Sequence, residues 1–109
     1  MIAQLKAREE RFLQAYMLGA SRADVERYER LAVAFGPRTT LPNTALYEAI
    51  WFIGKHRLGQ GLPLIPTNAE HWAGELWLHC CHIGLIASWD VGSVVELRST
   101  AVALWSELC

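Results

Sequence analysis

Apolar side chains recur along most of the chain at intervals of three and four residues, which is the spacing of one face of an α-helix. A clear case is Val25, Tyr28 and Leu31, with charged residues between them. The alternation of apolar and polar positions that marks a half-buried β-strand does not recur. The sequence therefore predicts an all-α fold. The predicted helices span about residues 2–18, 22–35, 44–58, 68–89 and 93–108.

Residues that begin and end helices support these boundaries. Gly36 and Pro37 end the second predicted helix, since proline cannot continue a helix. The turn at residues 90–93 is short, so the fourth and fifth helices are expected to form an antiparallel hairpin. The predicted N-caps are Ser21, Asn43, Thr67 and Ser93, and the last two are each followed three residues later by glutamate, as in a capping box.

The composition favours a compact bundle of about five helices that leaves some apolar surface exposed. The 109 residues are enough for a single domain, 1–109, with one modest core. Hydrophobic residues make up 52% of the chain, five of them tryptophan, and charged residues only 19%. Because a small domain has much surface for its volume, part of this apolar material is expected at the surface. Such surface usually marks an interface with a partner or with a second copy.

The charge is small overall and unevenly distributed. The net charge is −1, so binding to nucleic acid through bulk electrostatics is not expected. Residues 1–57 contain nine Lys and Arg against six Asp and Glu, whereas residues 58–109 contain one against five. This asymmetry favours an oriented complex with another protein or an antiparallel homodimer.

The cysteines and the hydropathy pattern favour a cytoplasmic protein. The three cysteines do not form the framework expected of a secreted, disulfide-bonded domain. The segment at 1–12 lacks the basic and then apolar pattern of a signal peptide. The most apolar run, at 76–89, is interrupted by His79 and His82 and is too short to cross a membrane. No membrane association is expected.

The fourth predicted helix has one polar stripe, formed by His71, Glu75, His79 and His82. On a helical wheel the four residues fall within an arc of about 80°. Histidines and a carboxylate three or four residues apart can share a zinc ion, so a metal-binding helical protein is one alternative. The favoured interpretation is that the stripe faces water, because a surface helix needs one polar side. No cofactor is expected.

Catalytic chemistry is not indicated, and the chain is not expected to be an enzyme. The serines lack the context of a nucleophile elbow. Cys80 and Cys81 adjoin histidines in the sequence, but neighbouring positions on a helix point in different directions and do not form a Cys–His dyad. We therefore predict no catalytic residue.

A second alternative is a DNA-binding regulator. The first two predicted helices, joined near residues 18–24, resemble a helix-turn-helix in which Arg22, Arg27 and Arg30 would face the groove. Three acidic residues are interleaved with these arginines, and phosphates repel such a face. The spacing is more typical of ion pairs within one helix.

The favoured hypothesis is a non-enzymatic protein that acts by binding another protein. Tyr47, Trp51 and Leu58 lie about 100° or more from the main apolar face of the third predicted helix, and large aromatic residues in such positions often form the centre of an interface. We predict these three residues as partner-binding. In general character the chain resembles small bacterial and phage inhibitors and anti-activators that mask a regulatory or effector protein, an analogy of class rather than of motif.

Overall fold

The computed structural model describes residues 15–108, and over these residues its regular structure is entirely helical. The predicted all-α fold is confirmed. Residues 15–17 are helical and are labelled α1, and most of the predicted helix at 2–18 lies outside the described residues. A short 3₁₀ turn, Gly36–Arg38, follows α2. The remaining helices are α2 (Arg22–Phe35), α3 (Asn43–Gly59), α4 (Ala69–His82) and α5 (Val91–Leu108).

The fourth helix is shorter than the sequence pattern predicts, because it ends at His82 rather than near residue 89. Gly84 has a φ of 78°, in the left-handed region that favours glycine. Its backbone N–H donates to the carbonyl of Cys81 at 3.2 Å, and that of Leu85 donates to Cys80 at 2.9 Å. These are the two hydrogen bonds of a Schellman motif, which closes the helix although apolar residues continue beyond it.

The predicted N-caps are partly correct. Ser21 caps α2 as predicted, since its side chain accepts from the backbone N–H of Asp24 at 3.2 Å. For α4, Asn68 is the cap in place of the predicted Thr67. For α5, the carboxylate of Asp90 accepts from the backbone N–H of Ser93 at 3.4 Å, so this helix begins two residues earlier than predicted. Asparagine and aspartate cap helices as well as serine and threonine do, and here Asn68 and Asp90, directly before each helix, are the caps.

The prediction of Asn43 as an N-cap is also wrong, because Asn43 is the first residue of α3 itself. With its amide nitrogen turned toward the preceding turn, its side chain lies 3.2 Å from the carbonyl oxygen of Gly36 and 3.3 Å from that of Leu41. The residue therefore ties the start of α3 to the turn that follows α2.

Aromatic side chains form the centre of the core and connect the four long helices. Trp72 of α4 contacts Tyr28 and Phe35 of α2, with ring centroids 6.4 Å and 6.1 Å apart, and Trp105 of α5 at 5.5 Å. Tyr28 also meets Trp51 of α3 edge to face at 5.1 Å. Offset and edge-to-face pairs of this kind stabilise a core beyond the area that they bury.

The polar atoms of Tyr28 and Trp72 in this cluster are hydrogen-bonded. The hydroxyl of Tyr28 donates to the backbone carbonyl of Ile50 and accepts from Nε1 of Trp72 at 3.4 Å. A buried polar atom without a partner would cost about 1–3 kcal/mol. Complete burial raises the pKa of Tyr28, so its hydroxyl stays protonated and can donate at neutral pH.

The fourth and fifth helices pack against each other as the predicted hairpin, and their contact is the most extensive between any two helices described. An ion pair joins Glu70 of α4 to Arg98 of α5 at 2.8 Å on the surface. A second surface pair, Arg38 with Glu107 at 2.8 Å, ties the end of α5 to the turn that follows α2. None of the helices within residues 15–108 has both the length and the apolar content that crossing a membrane requires.

Substitution of Gly54 is expected to destabilise the fold. A Cβ atom at this position of α3 would lie 2.8 Å from Cδ1 of Leu64 and 2.9 Å from Cε1 of Tyr28, so the helix could not approach the core as closely. We expect Gly54→Ala to lower the free energy of unfolding by about 1–3 kcal/mol, the usual cost of overpacking a core. Urea denaturation followed by far-UV circular dichroism measures this loss.

The matched control for this prediction is Gly74→Ala in α4. A Cβ atom at Gly74 would have nothing within 4 Å. Alanine there is expected to raise the free energy of unfolding by about 0.5–1 kcal/mol, because glycine is a poor helix former. Equal effects of the two substitutions would contradict the close approach of α3 to Tyr28.

Candidate functional site

A groove lies between the outer edges of α3 and α4 and extends to the start of the connecting segment at 60–68. Its volume is about 520 Å³. All four histidines of the chain contribute to its lining. We call it the α3–α4 groove. Its lining residues are Phe52, Ile53, His56, Arg57, Gln60, Leu62, His71, Glu75, Leu78, His79 and His82.

An ion pair joins the two walls of the groove. Nη1 of Arg57 in α3 lies 2.8 Å from Oε1 of Glu75 in α4, and Nε2 of His71 lies 3.0 Å from the same oxygen. The Nε of Arg57 also donates to the carbonyl of Pro63 at 3.1 Å. The side chain of Arg57 is only 7% exposed, so these partners must replace the water that would otherwise stabilise its charge. The ion pair therefore holds α3, α4 and their connection in one arrangement.

Aromatic stacking forms a second contact across the groove. The ring of Phe52 in α3 stacks on the imidazole of His79 in α4, with centroids 4.2 Å apart and planes 8° from parallel. The ring of His56, one turn further along α3, is parallel to Phe52 at 6.1 Å. Phe52 is nevertheless 50% exposed. One face of the groove is therefore an aromatic platform that solvent or a ligand can reach.

The environment of His79 favours its neutral form. Partial burial lowers the pKa of His79, and the nearby imidazoles of His82 and His56 lower it further, because a second positive charge would be repelled. A neutral imidazole can lie against the Phe52 ring without the cost of desolvating a charge. The folded chain therefore holds His79 neutral at neutral and alkaline pH.

The predicted polar stripe is only partly a water-facing surface. His71 and His82 are exposed as expected, whereas Glu75 and His79 are half-buried and turned toward α3. Among residues 15–108, no three His, Cys, Asp or Glu side chains are placed to share one metal ion. The metal-binding alternative therefore gains no support from this geometry.

The structure places the three predicted partner-binding residues mostly inside the core. Trp51 is 1% exposed, Leu58 is buried and Tyr47 is half-buried. The hydroxyl of Tyr47 and Nε1 of Trp51 donate to Oε2 of Glu29 in α2, at 2.8 Å and 3.1 Å. In this arrangement Trp51 and Leu58 offer almost no surface to a partner. Their role in partner binding stays a prediction, and for Trp51 it would require α3 to move away from Glu29 of α2.

The sequence pattern did not single out the groove residues of α3 and of the connecting segment, or Leu78 of α4. These are Phe52, Ile53, His56, Arg57, Gln60, Leu62 and Leu78. The signals available in the sequence were the i, i+4 spacing of Phe52 and His56 on α3 and the histidine spacing on α4. The two signals belong to different helices. Only the packing of α3 beside α4 brings them together.

The surroundings of Cys80 do not favour nucleophilic chemistry. Burial, and secondarily the adjacent Cys81, raises the pKa of the Cys80 thiol to about 12, which makes Cys80 a poor nucleophile at neutral pH.

Arg22 forms an exposed ion pair with Glu26 at 3.1 Å within α2. This is the intrahelical pairing that the spacing suggested. The helix-turn-helix alternative stays a prediction.

No family model, curated protein or solved structure matches this chain. Its function must therefore be inferred from the geometry of the molecule.

Neutralising Glu75 is expected to weaken the fold. In Glu75→Gln the shape of the side chain is retained, but the guanidinium of Arg57 loses its anionic partner while it stays buried. We expect a loss of about 1.5–3 kcal/mol in the free energy of unfolding, the range for hydrogen bonds to charged groups. Chemical denaturation provides the measurement.

The control is Glu70→Gln on the same helix, whose partner Arg98 is 60% exposed. Exposed pairs contribute about 0–1 kcal/mol, so this variant should be close to wild type. A Glu75→Gln variant as stable as Glu70→Gln would show that the buried pair does not hold the groove together.

The stability of the fold is expected to fall in mild acid partly through His79. The pKa of His79 is lower in the folded chain than its ordinary value of 6.5, so the unfolded chain binds more protons below that pH. The contribution of His79 is thus complete above about pH 6.5 and is lost as the pH falls through its folded pKa. We expect His79→Gln to show a smaller drop in unfolding free energy than wild type between about pH 7.5 and pH 5.5. Identical drops in both proteins would refute this role of His79.

Proposed function

We propose that the chain is a small, non-enzymatic interaction protein that binds a regulatory or effector protein stoichiometrically and masks its surface. The supporting observation is the α3–α4 groove, in which Phe52, Leu62 and Leu78 are 50%, 43% and 60% exposed. Apolar side chains grouped beside polar ones at a surface typically mark a site of protein contact.

The groove suits one recurrent mode of recognition, in which an amphipathic helix lays its apolar face between two helices of its receptor. The ion pair of Arg57 with Glu75 and the stack of Phe52 on His79 fix the two walls before any partner arrives. A prearranged surface loses less conformational entropy on binding. This favours a role as a receptor surface.

The polar atoms of the groove support binding more than chemistry. The carboxylate of Glu75 already interacts with both Arg57 and His71, and the ring of His79 lies against Phe52. These side chains are already paired with one another, so they shape the groove and are not free to act on a substrate. The small inhibitors and anti-activators of bacteria and phages work through such stoichiometric contacts, and we propose the same mode of action here.

A second exposed apolar surface lies at the start of α5. Trp89 is 83% exposed, and Val91 and Val95, one turn apart on α5, are 67% and 56% exposed. This surface is the competing contact site, either for the same partner or for a second copy of the chain. Substitutions on the two surfaces distinguish them.

The proposal is tested by affinity capture from the native host, followed by light scattering of the purified complex. We expect one partner in a fixed stoichiometric ratio. Leu78→Ser should reduce capture at least tenfold if this side chain is central to the contact, because such residues contribute about 2 kcal/mol or more. Val33→Ser, on the exposed side of α2, is the control and should leave capture unchanged.

The other outcomes are equally informative. Loss of capture in Val95→Ser but not in Leu78→Ser would move the contact to α5. A purified chain that is a stable homodimer and captures nothing would replace the proposed masking function with self-association. A Leu78→Ser variant must retain the wild-type circular dichroism spectrum for its effect to count as a binding effect.

A further inference from the structure

The α3–α4 groove has an excess of groups that are basic or can become so. Among its lining residues, Glu75 is the one carboxylate, whereas the basic and titratable nitrogen groups are one guanidinium and four imidazoles. From α3 these are His56 and Arg57. From α4 they are His71, His79 and His82. From the connecting segment Gln60 and Leu62 line the groove, and neither can ionise.

The single carboxylate is already occupied within the protein. Oε1 of Glu75 lies 2.8 Å from Nη1 of Arg57 and 3.0 Å from Nε2 of His71. Its negative charge is therefore offset by neighbours that are held in place. Because Arg57 is paired with Glu75, the groups left to a ligand are the imidazole nitrogens of the rim. Imidazoles donate hydrogen bonds to carboxylates and attract them when protonated, so the complement of this rim is acidic.

The apolar lining adds a second requirement. Phe52 presents an exposed ring between His79 and His56, and Leu62 and Leu78 are also exposed. A uniformly charged ligand would leave these side chains in water. The complement is a segment with apolar side chains on one face and carboxylates beside them, which is the pattern of an acidic amphipathic helix.

We propose that the α3–α4 groove is the docking site for an acidic amphipathic helix of the partner protein, with its apolar face on Phe52, Leu62 and Leu78 and its carboxylates at the histidine rim. This inference rests on the proposed function and specifies the chemistry of the partner. Nucleic acid is a poorer match, because exposed leucines offer nothing to a phosphate backbone.

Docking of carboxylates at imidazoles couples binding to protonation. Histidine is the side chain whose charge changes within the range of about pH 5 to 8. A bound carboxylate stabilises that charge, so the complex takes up protons that the free groove would not. The affinity for an acidic helix therefore rises as the pH falls, and the affinity for a basic helix does not.

The experiment uses two synthetic helical peptides of about 15 residues. Both have leucine at intervals of three and four positions. One has glutamate beside the leucines, and the other has lysine at the same positions. Fluorescence anisotropy gives the affinity of each for the full chain at about pH 7.5 and pH 5.5. We expect the glutamate peptide to bind about tenfold more tightly at the lower pH, the sum of a few exposed charge pairs.

Variants of the chain separate the two parts of the proposal. His56→Gln combined with His82→Gln, both at exposed positions, should remove most of the gain in affinity at low pH. Leu78→Ser should weaken binding at both pH values. Val33→Ser on α2 should change neither.

Several results would overturn the proposal. These are tighter binding of the lysine peptide, an unchanged or lower affinity for the glutamate peptide at pH 5.5, no binding of either peptide, or loss of the fold at pH 5.5. Anionic phospholipid vesicles that bind the chain when neither peptide does would identify a lipid surface instead.

The outcome is distinguishable from that of the proposed function. If affinity capture yields a stoichiometric partner but Leu78→Ser retains it and the peptides do not bind, masking stands and this docking site is wrong. If the glutamate peptide binds as expected but the chain captures no partner, the groove chemistry stands and the masking function fails.

Discussion

The contact between Trp72 and Tyr28 is the interaction on which the rest of the structure depends. Trp72 of α4 lies against Tyr28 and Phe35 of α2 and against Trp105 of α5, and the hydroxyl of Tyr28 reaches the backbone of α3 at Ile50. Four helices thus meet around two rings whose polar atoms are hydrogen-bonded to each other. Burial of large aromatic side chains is among the strongest sources of stability available to a domain of this size.

The position of the groove follows from this core. With α2 and α5 packed beneath them, α3 and α4 are held at a fixed separation. Their outer edges are bridged by the ion pair of Arg57 with Glu75 and by the stack of Phe52 on His79. Both contacts leave apolar surface open, since Phe52 and Leu78 remain at least half exposed. Three tryptophans are buried in the core, whereas these side chains lie at the surface, and this contrast supports the proposed binding surface.

The helical architecture could be predicted from the sequence, because it depends on local periodicity. The spacing of apolar residues predicted α2 to the residue, Arg22–Phe35. It overextended α4, because apolar residues continue past Gly84 and conceal the glycine that ends the helix. Periodicity is defined relative to one helix and does not reveal how many neighbours that helix has. α3 has a second buried side facing α2, which is why Trp51 is in the core, hydrogen-bonded to Glu29.

The same limit explains why the groove could not be predicted. Its residues come from two helices, and their meeting depends on packing over long separations in the chain.

The most direct test of the proposed docking site is hydrogen–deuterium exchange on the chain alone and in complex with its captured partner. The proposed docking predicts slower exchange on binding in the groove segments at 52–60 and 75–82, with little change at the start of α5. Protection confined to residues 89–96, with the groove segments unchanged, would contradict it.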